Sequence, residues 1–192
     1  MTGVIFDVNE DDKSFWHTVD RLLAKPYRLF SCYGGKILAR PRYPDLFLAG
    51  AQSLGEISVH NSIVVYRDLL NPRLLISHSG QAVAIVDSAN AAAVDHVAAL
   101  QLPAITCGLS ARDTITLSSI GSERAMINLQ RAFHCIGGAR VDPLETPVAI
   151  TDAMDPYAVM ASAAVCLLCG LPTEQLSLAI AANPSDPSPT VR

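Results

Sequence analysis

The densest run of residues able to hold a ligand lies between positions 21 and 44. Lys25, Arg28, Lys36, Arg40 and Arg42 are interleaved there with Tyr27, Phe30, Tyr33 and Tyr43, and no acidic residue falls between Arg21 and Pro44. Positive charges beside aromatic faces can hold a phosphate-bearing ligand or stack the bases of a single strand. The same pattern also fits an amphipathic hairpin with packed aromatic residues and solvated basic tips. Arg28, Lys36, Arg40 and Arg42 are the candidate anion contacts of this stretch.

Other chemistry-bearing residues are more scattered. Asp7-x-Asn9-x-Asp11 opens like a calcium loop, but the sixth position is Asp12 instead of Gly and the twelfth is Thr18 instead of Glu. The charged start of a helix accounts for it, since acidic residues suit a helix N-terminus. Cys166-x-x-Cys169 lies in an apolar run with no second Cys or His pair at zinc spacing, so it reads as core. Cys107 reads as a strand cysteine, and His60 and His134 as structural histidines. Neither a metal nor a cofactor is expected from these patterns.

The elements that must position these residues follow from spacing and turn signals. Phe15, Val19, Leu22 and Leu23 share one face of a helix, and Gly34-Gly35 suits the tight turn of a hairpin. Leu46–Leu48, Ser58–Tyr66, Arg73–Ser77 and Ala82–Val86 read as strands. Helix Ala91–Leu100 and strand Pro103–Cys107 complete a βαβ unit with parallel strands and a right-handed crossover. Asp113–Ile120 alternates as a half-exposed strand, while 125–135 and 147–150 add β structure. Tyr157–Cys169 is an apolar helix stopped by Gly170, and Thr173 caps a last helix through Ile180.

The expected fold class is α/β and Rossmann-like, a mostly parallel sheet flanked by helices with a small N-terminal helix-plus-hairpin appendage. The expected division is an appendage over 1–44, an α/β domain over 45–182 and a disordered tail over 183–192. In such sheets ligands sit outside the carboxyl ends of the strands. Asp87, Ser88 and Asn90 after one strand and Gly108 and Ser110 after the next are therefore candidate ligand contacts. Ordinary turn and cap chemistry is their alternative role.

The order of elements over 82–181 resembles the second half of the central ATPase domain of the Mur ligase family and the related folylpolyglutamate synthases. The resemblance is carried by Ala82-Val-Ala-Ile-Val-Asp-Ser-Ala-Asn90, Ile105-Thr-Cys-Gly-Leu-Ser110 and the closing pair of helices. It implies a fold that joins amino acids to carboxylates through an acyl phosphate. The chain departs from that chemistry. The phosphate loop G-x-x-x-x-G-K-[ST] is absent, since the only Gly-Lys, Gly35-Lys36, is followed by Ile37 and lacks the first glycine. Asp87-Ser88-Ala89-Asn90 replaces the family's Asn-x-Asp-Asp, and Asp152-Ala-Met-Asp-Pro-Tyr157 replaces its Gly-x-His-Asn. No counterpart of the family's C-terminal domain is expected within these residues.

Composition bounds the remaining possibilities. The 192 residues are 50% hydrophobic and 17% charged, with a formal net charge of −4. Such a chain fills a core, and it carries no global field toward nucleic acid or anionic membrane. No secretory signal or membrane span is expected, and five cysteines in no regular framework point to reduced thiols in the cytoplasm. The expected function is a Mur-ligase-like domain without ligase activity that binds a small anionic or nucleotide-like ligand. An oligomeric scaffold or interaction domain is one alternative, because the apolar composition points to a homo-oligomer. A divergent ATP-dependent ligase is the other.

Overall fold

The structure, a computed structural model, describes residues 1–8, 16, 19, 20, 23, 27–33, 36–38, 45–121, 124–149, 155–173 and 176. Its centre is β1 (Thr2–Asp7), whose Val4, Ile5 and Phe6 are all fully buried. A strand covered on both faces reads as a continuous apolar run, as interior parallel strands do. Its neighbours are β4 (Leu46–Gly50) and β6 (Asn61–Tyr66), both parallel to it.

Beyond β6 come β8 (Ala82–Asp87), β9 (Ala104–Cys107) and β10 (Ile115–Ile120), all parallel. The antiparallel β11 (Arg124–Leu129) and β14 (Leu144–Ala149) close that side. On the other side β2 (Leu29–Tyr33) runs parallel to β4, and β3 (Lys36–Leu38) returns antiparallel as the edge. The order is β14-β11-β10-β9-β8-β6-β1-β4-β2-β3. This is the expected mostly parallel α/β sheet. The N-terminal segment is hydrogen-bonded into it: β1 supplies the middle and the β2–β3 hairpin an edge.

Alternation along the strands separates two cores. Val4, Phe6, Ile63, Val65 and Ile85 face one layer, and Ile5, Val64, Ala84 and Val86 face the other. The first layer receives α2 (Pro156–Leu168) and the helical residues Trp16, Val19 and Leu23, with the Trp16 ring centred 4.4 Å from that of Phe6. The second receives Ala93 and Val97 of α1 (Ala91–Ala99).

The ends of α2 follow local chemistry. Asp155 accepts the Ala158 amide at 2.9 Å, and Pro156 opens the first turn, where no amide is needed. At the other end Gly170 takes φ +86°, Leu171 N donates to Cys166 O and Gly170 N to Leu167 O. That pair of bonds is the Schellman arrangement that only a left-handed residue permits at low cost.

Two expected strands are divided. The run 58–66 breaks at His60 into β5 (Glu56–Val59) and β6, because β5 pairs with β7 (Leu75–His78) in a separate two-stranded sheet. The run 125–135 becomes β11 and the short β12 (Phe133–His134), which pairs with β13 (Arg140–Val141). Of the expected helix face, Phe15 and Leu22 lie outside the described residues, as do Gly34, Gly35 and the tail 183–192. Of the last expected helix, Thr173 and Leu176 are described and helical. No helix among the described residues is long and apolar enough to cross a membrane.

Candidate functional site

Because the central strands are parallel, their carboxyl ends share one edge, where Asp7, Tyr66, Asp87 and Cys107 end β1, β6, β8 and β9. From β1 the chain goes first to β2 and β3 on one side and, after returning to β4, crosses past β1 to β6 and the strands on the other side. Such a switch point leaves a crevice in which open α/β domains bind ligands.

The loops after β8 and β9 meet at this edge. Ser88 N donates to Cys107 O at 3.0 Å, and a Cβ on Gly108 would stand 2.1 Å from Ser88 Oγ and 2.4 Å from Asp113 Oδ2. As Ser88 and Asp113 stand, a side chain at position 108 would have to displace one of them. Asp87 Oδ1 accepts the Ala89 amide at 2.9 Å, a turn in which Ser88 is exposed. Asn90 is engaged at both ends: Oδ1 accepts Ala93 N as the α1 cap, and Nδ2 donates to Arg67 O at 2.6 Å. Ser110 Oγ accepts Arg112 N at 3.2 Å, and Ser110 N donates to Asp113 Oδ2 at 3.0 Å. Leu109, between Gly108 and Ser110, is 76% exposed.

Asp113 was not a candidate from sequence, yet it is buried and organises this loop. The signal was Ser110-x-x-Asp113, the spacing at which an Asp side chain reaches back to a turn amide.

At the switch point itself Asp7 is buried, and its carboxylate accepts Leu70 N at 2.8 Å and Asn71 N at 3.2 Å. Burial pushes its carboxyl above the ordinary value, against the pull of those two amides. From Asp7 the sequence reads Asp7-x-x-x-x-Asp12-Lys13-Ser14, the spacing of the phosphate loop with aspartate at both glycine places. A search for glycines passes over it; its place after the central strand reveals it. Asn9, Asp11 and Asp12 lie outside the described residues.

Arg67, next along the edge, pairs with Asp155 at 2.7 Å, and its guanidinium carbon lies 5.8 Å from the centre of the Tyr157 ring. Tyr157 in turn donates to Tyr66 O at 3.1 Å. The Tyr66 ring meets His96 edge-on at 5.4 Å, and burial pushes the Tyr66 phenol up to about 12.

The described residues of the basic-aromatic stretch are not gathered here. Arg28 precedes β2 at the amino edge, opposite Asp87 and Gly108, and makes a bidentate pair with Asp45 at 2.6 and 3.0 Å. Its charge is therefore matched by the first acidic residue beyond the acid-free run. Phe30 stacks on Phe47 at 5.5 Å, and the Tyr27 hydroxyl bonds to Cys169 O. Lys36 begins the edge strand β3, five strand spacings or roughly 24 Å from β8. Arg40 and Arg42 lie outside the described residues.

The thiols carry no poised nucleophile at this edge. Cys107 is fully buried, and burial raises its pKa and those of Cys166 and Cys169, the last to about 12. At the amino edge a hollow of about 720 Å³ opens beside the starts of β8 and β9, lined by Val83, Ile105, Phe133 and Leu168 with His78 and His134 in its wall. Gln101, which also lines it, holds φ +54°.

No family model and no curated protein matches the chain. Solved structures do match. A murein peptide ligase from Psychrobacter arcticus superposes with a TM-score of 0.66 at 9% identity, over 94% of this chain and 46% of that one. A MurF ligase from Thermotoga maritima, solved in complex with ADP, gives 0.53 at 11% identity over 92% and 47%. A bifunctional folylpolyglutamate synthase/dihydrofolate synthase from Yersinia pestis gives 0.55 at 12% identity over 95% and 58%. The chain spans about half the length of these structures and has their fold over that half. The likeness extends beyond 82–181 to nearly the whole chain.

Proposed function

We propose that this chain is a Mur-ligase-like domain without ligase activity, acting as a binding module for a small nucleotide-like ligand at the loops after β8 and β9. The observation that carries the reading is at the switch point. Where a phosphate loop requires two glycines, so that backbone amides can approach an anion, the chain has Asp7 and Asp12. Carboxylates at those two places of the motif repel a triphosphate.

The ligand contacts proposed are Asp87, Ser88, Gly108 and Ser110. Gly108 lets the Ser88 and Asp113 side chains close on the loop, Ser88 offers a hydroxyl, and Leu109 supplies an apolar surface. Asn90 is left out, since cap and loop engage its whole amide. Among the described residues the loops at this edge carry Asp68, Asp87, Asp113 and Asp155 against the guanidiniums of Arg67 and Arg112. Hydroxyl and amine groups of a nucleoside suit that field better than free phosphates do, which favours the nucleotide-like ligand over the anionic one. An acidic residue after a parallel strand is a recurrent partner for ribose hydroxyls. The five cysteines, all free thiols, fit a reducing cytoplasm.

Calorimetric titration with the four ribonucleosides tests the proposal. Saturable binding of one of them, abolished by Gly108→Val, is expected. Binding unaffected by that substitution places the ligand elsewhere, the amino-edge hollow first, and absence of binding to the folded protein favours a scaffold role.

A further inference from the structure

The loop that follows β6 folds over the end of β1, and four of its backbone amides point at one residue. Arg67 N and Asp68 N donate to the Asp7 carbonyl at 3.1 and 3.3 Å. Leu70 N and Asn71 N donate to the Asp7 carboxylate at 2.8 and 3.2 Å, and Asn71 N also reaches the second carboxylate oxygen at 3.5 Å. Leu69, between the two pairs, holds φ +51°, a left-handed conformation that costs a non-glycine residue about 1–2 kcal/mol. A left-handed residue within a turn aims the following amides toward a common point, the geometry of an anion-binding nest.

The nest is braced independently of the carboxylate. Asn71 Nδ2 donates to Ala51 O at 2.9 Å and Leu54 O at 3.0 Å, tying the loop to the neighbouring turn. Strain at Leu69 persists because these bonds over-determine the backbone. Of the charged groups facing the carboxylate, Asp68 opposes its ionisation and His96 favours it.

We propose that the amides of Leu70 and Asn71 form an oxyanion site at the switch point, filled by the Asp7 carboxylate as a tethered substitute for a phosphate from solution. The native protein therefore excludes phosphate there, and removing the carboxylate opens the site. This inference shares Asp7 with the reading above but needs no nucleoside to bind, since it concerns β1 and the 67–71 loop alone.

Thermal unfolding in a phosphate series at constant ionic strength, with chloride as the balancing anion, tests it. Asp7→Ala and Asp7→Ser are expected to gain a saturable rise in Tm of roughly 5 °C once phosphate is about a hundredfold over its Kd. The native protein and Asp7→Asn, whose amide oxygen still fills the nest, are expected to gain none. Equal stabilisation of all four proteins by phosphate would overturn the proposal. So would a folded Asp7→Ala or Asp7→Ser that ignores phosphate, or failure of both to fold in saturating phosphate.

Discussion

Ser88 and Gly108 are pressed together at the carboxyl ends of two adjacent parallel strands, with Ser88 Oγ 2.1 Å from where a Gly108 side chain would begin. Backbone atoms of the two loops are joined as well, through Ser88 N and Cys107 O.

Gly108→Ala should therefore destabilise the domain by about 1–3 kcal/mol, the usual cost of forcing atoms into a packed site. Gly55→Ala is the control, because a Cβ there meets nothing within 4 Å. Urea denaturation of both variants reads the difference. Equal small effects would mean that the loops part freely.

Asp155 has two tasks at the start of α2, accepting Ala158 N and pairing with Arg67. Asp155→Ala should cost about 1–2 kcal/mol, whereas Asp155→Asn keeps a capping oxygen and should cost less. Identical losses for the two variants would assign the effect to the ion pair instead of the cap.

The Arg28–Asp45 pair gives a pH signature. The Arg28 guanidinium hydrogen bond holds the Asp45 carboxyl down to about 2, from an ordinary 3.8. A depressed carboxyl contributes stability above its unfolded pKa and loses it as pH falls through the folded one. The window is thus about pH 4 down to about 2. Both side chains are exposed, so salt should shrink the effect. In Arg28→Ala, a carboxyl NMR titration should find Asp45 back near the ordinary range, with a shallower acid limb of unfolding. An unmoved Asp45 would show that backbone amides alone hold it.

The sequence disclosed the parts of the fold that are local. Strand β8, helix α1 and strand β9 lie in one continuous βαβ stretch, and Gly170 announced the end of α2 through its backbone freedom. The place of β1 was not legible, because three apolar residues do not say which strands flank them. Thr2 pairs with Leu46 on one side and Asn61 on the other, both distant in the chain. The same distance hid the site. The partner of Arg28 stands one residue past the last proline of the basic run, and the importance of Asp7 appears only once β1 is central. Asp87, Ser88 and Gly108 were legible because parallel strands put their loops on one edge; that Asn90 is engaged by capping was not, since its second partner, Arg67 O, comes from the loop after β6.

The proposed lack of ATP-driven chemistry in this Mur-ligase-like fold meets its most direct test in calorimetric titration of the folded protein with Mg-ATP, with phosphate release followed in the same samples. No phosphate release is expected, and no binding beyond what adenosine alone gives. Saturable binding that requires the triphosphate, or steady release of phosphate, would contradict it.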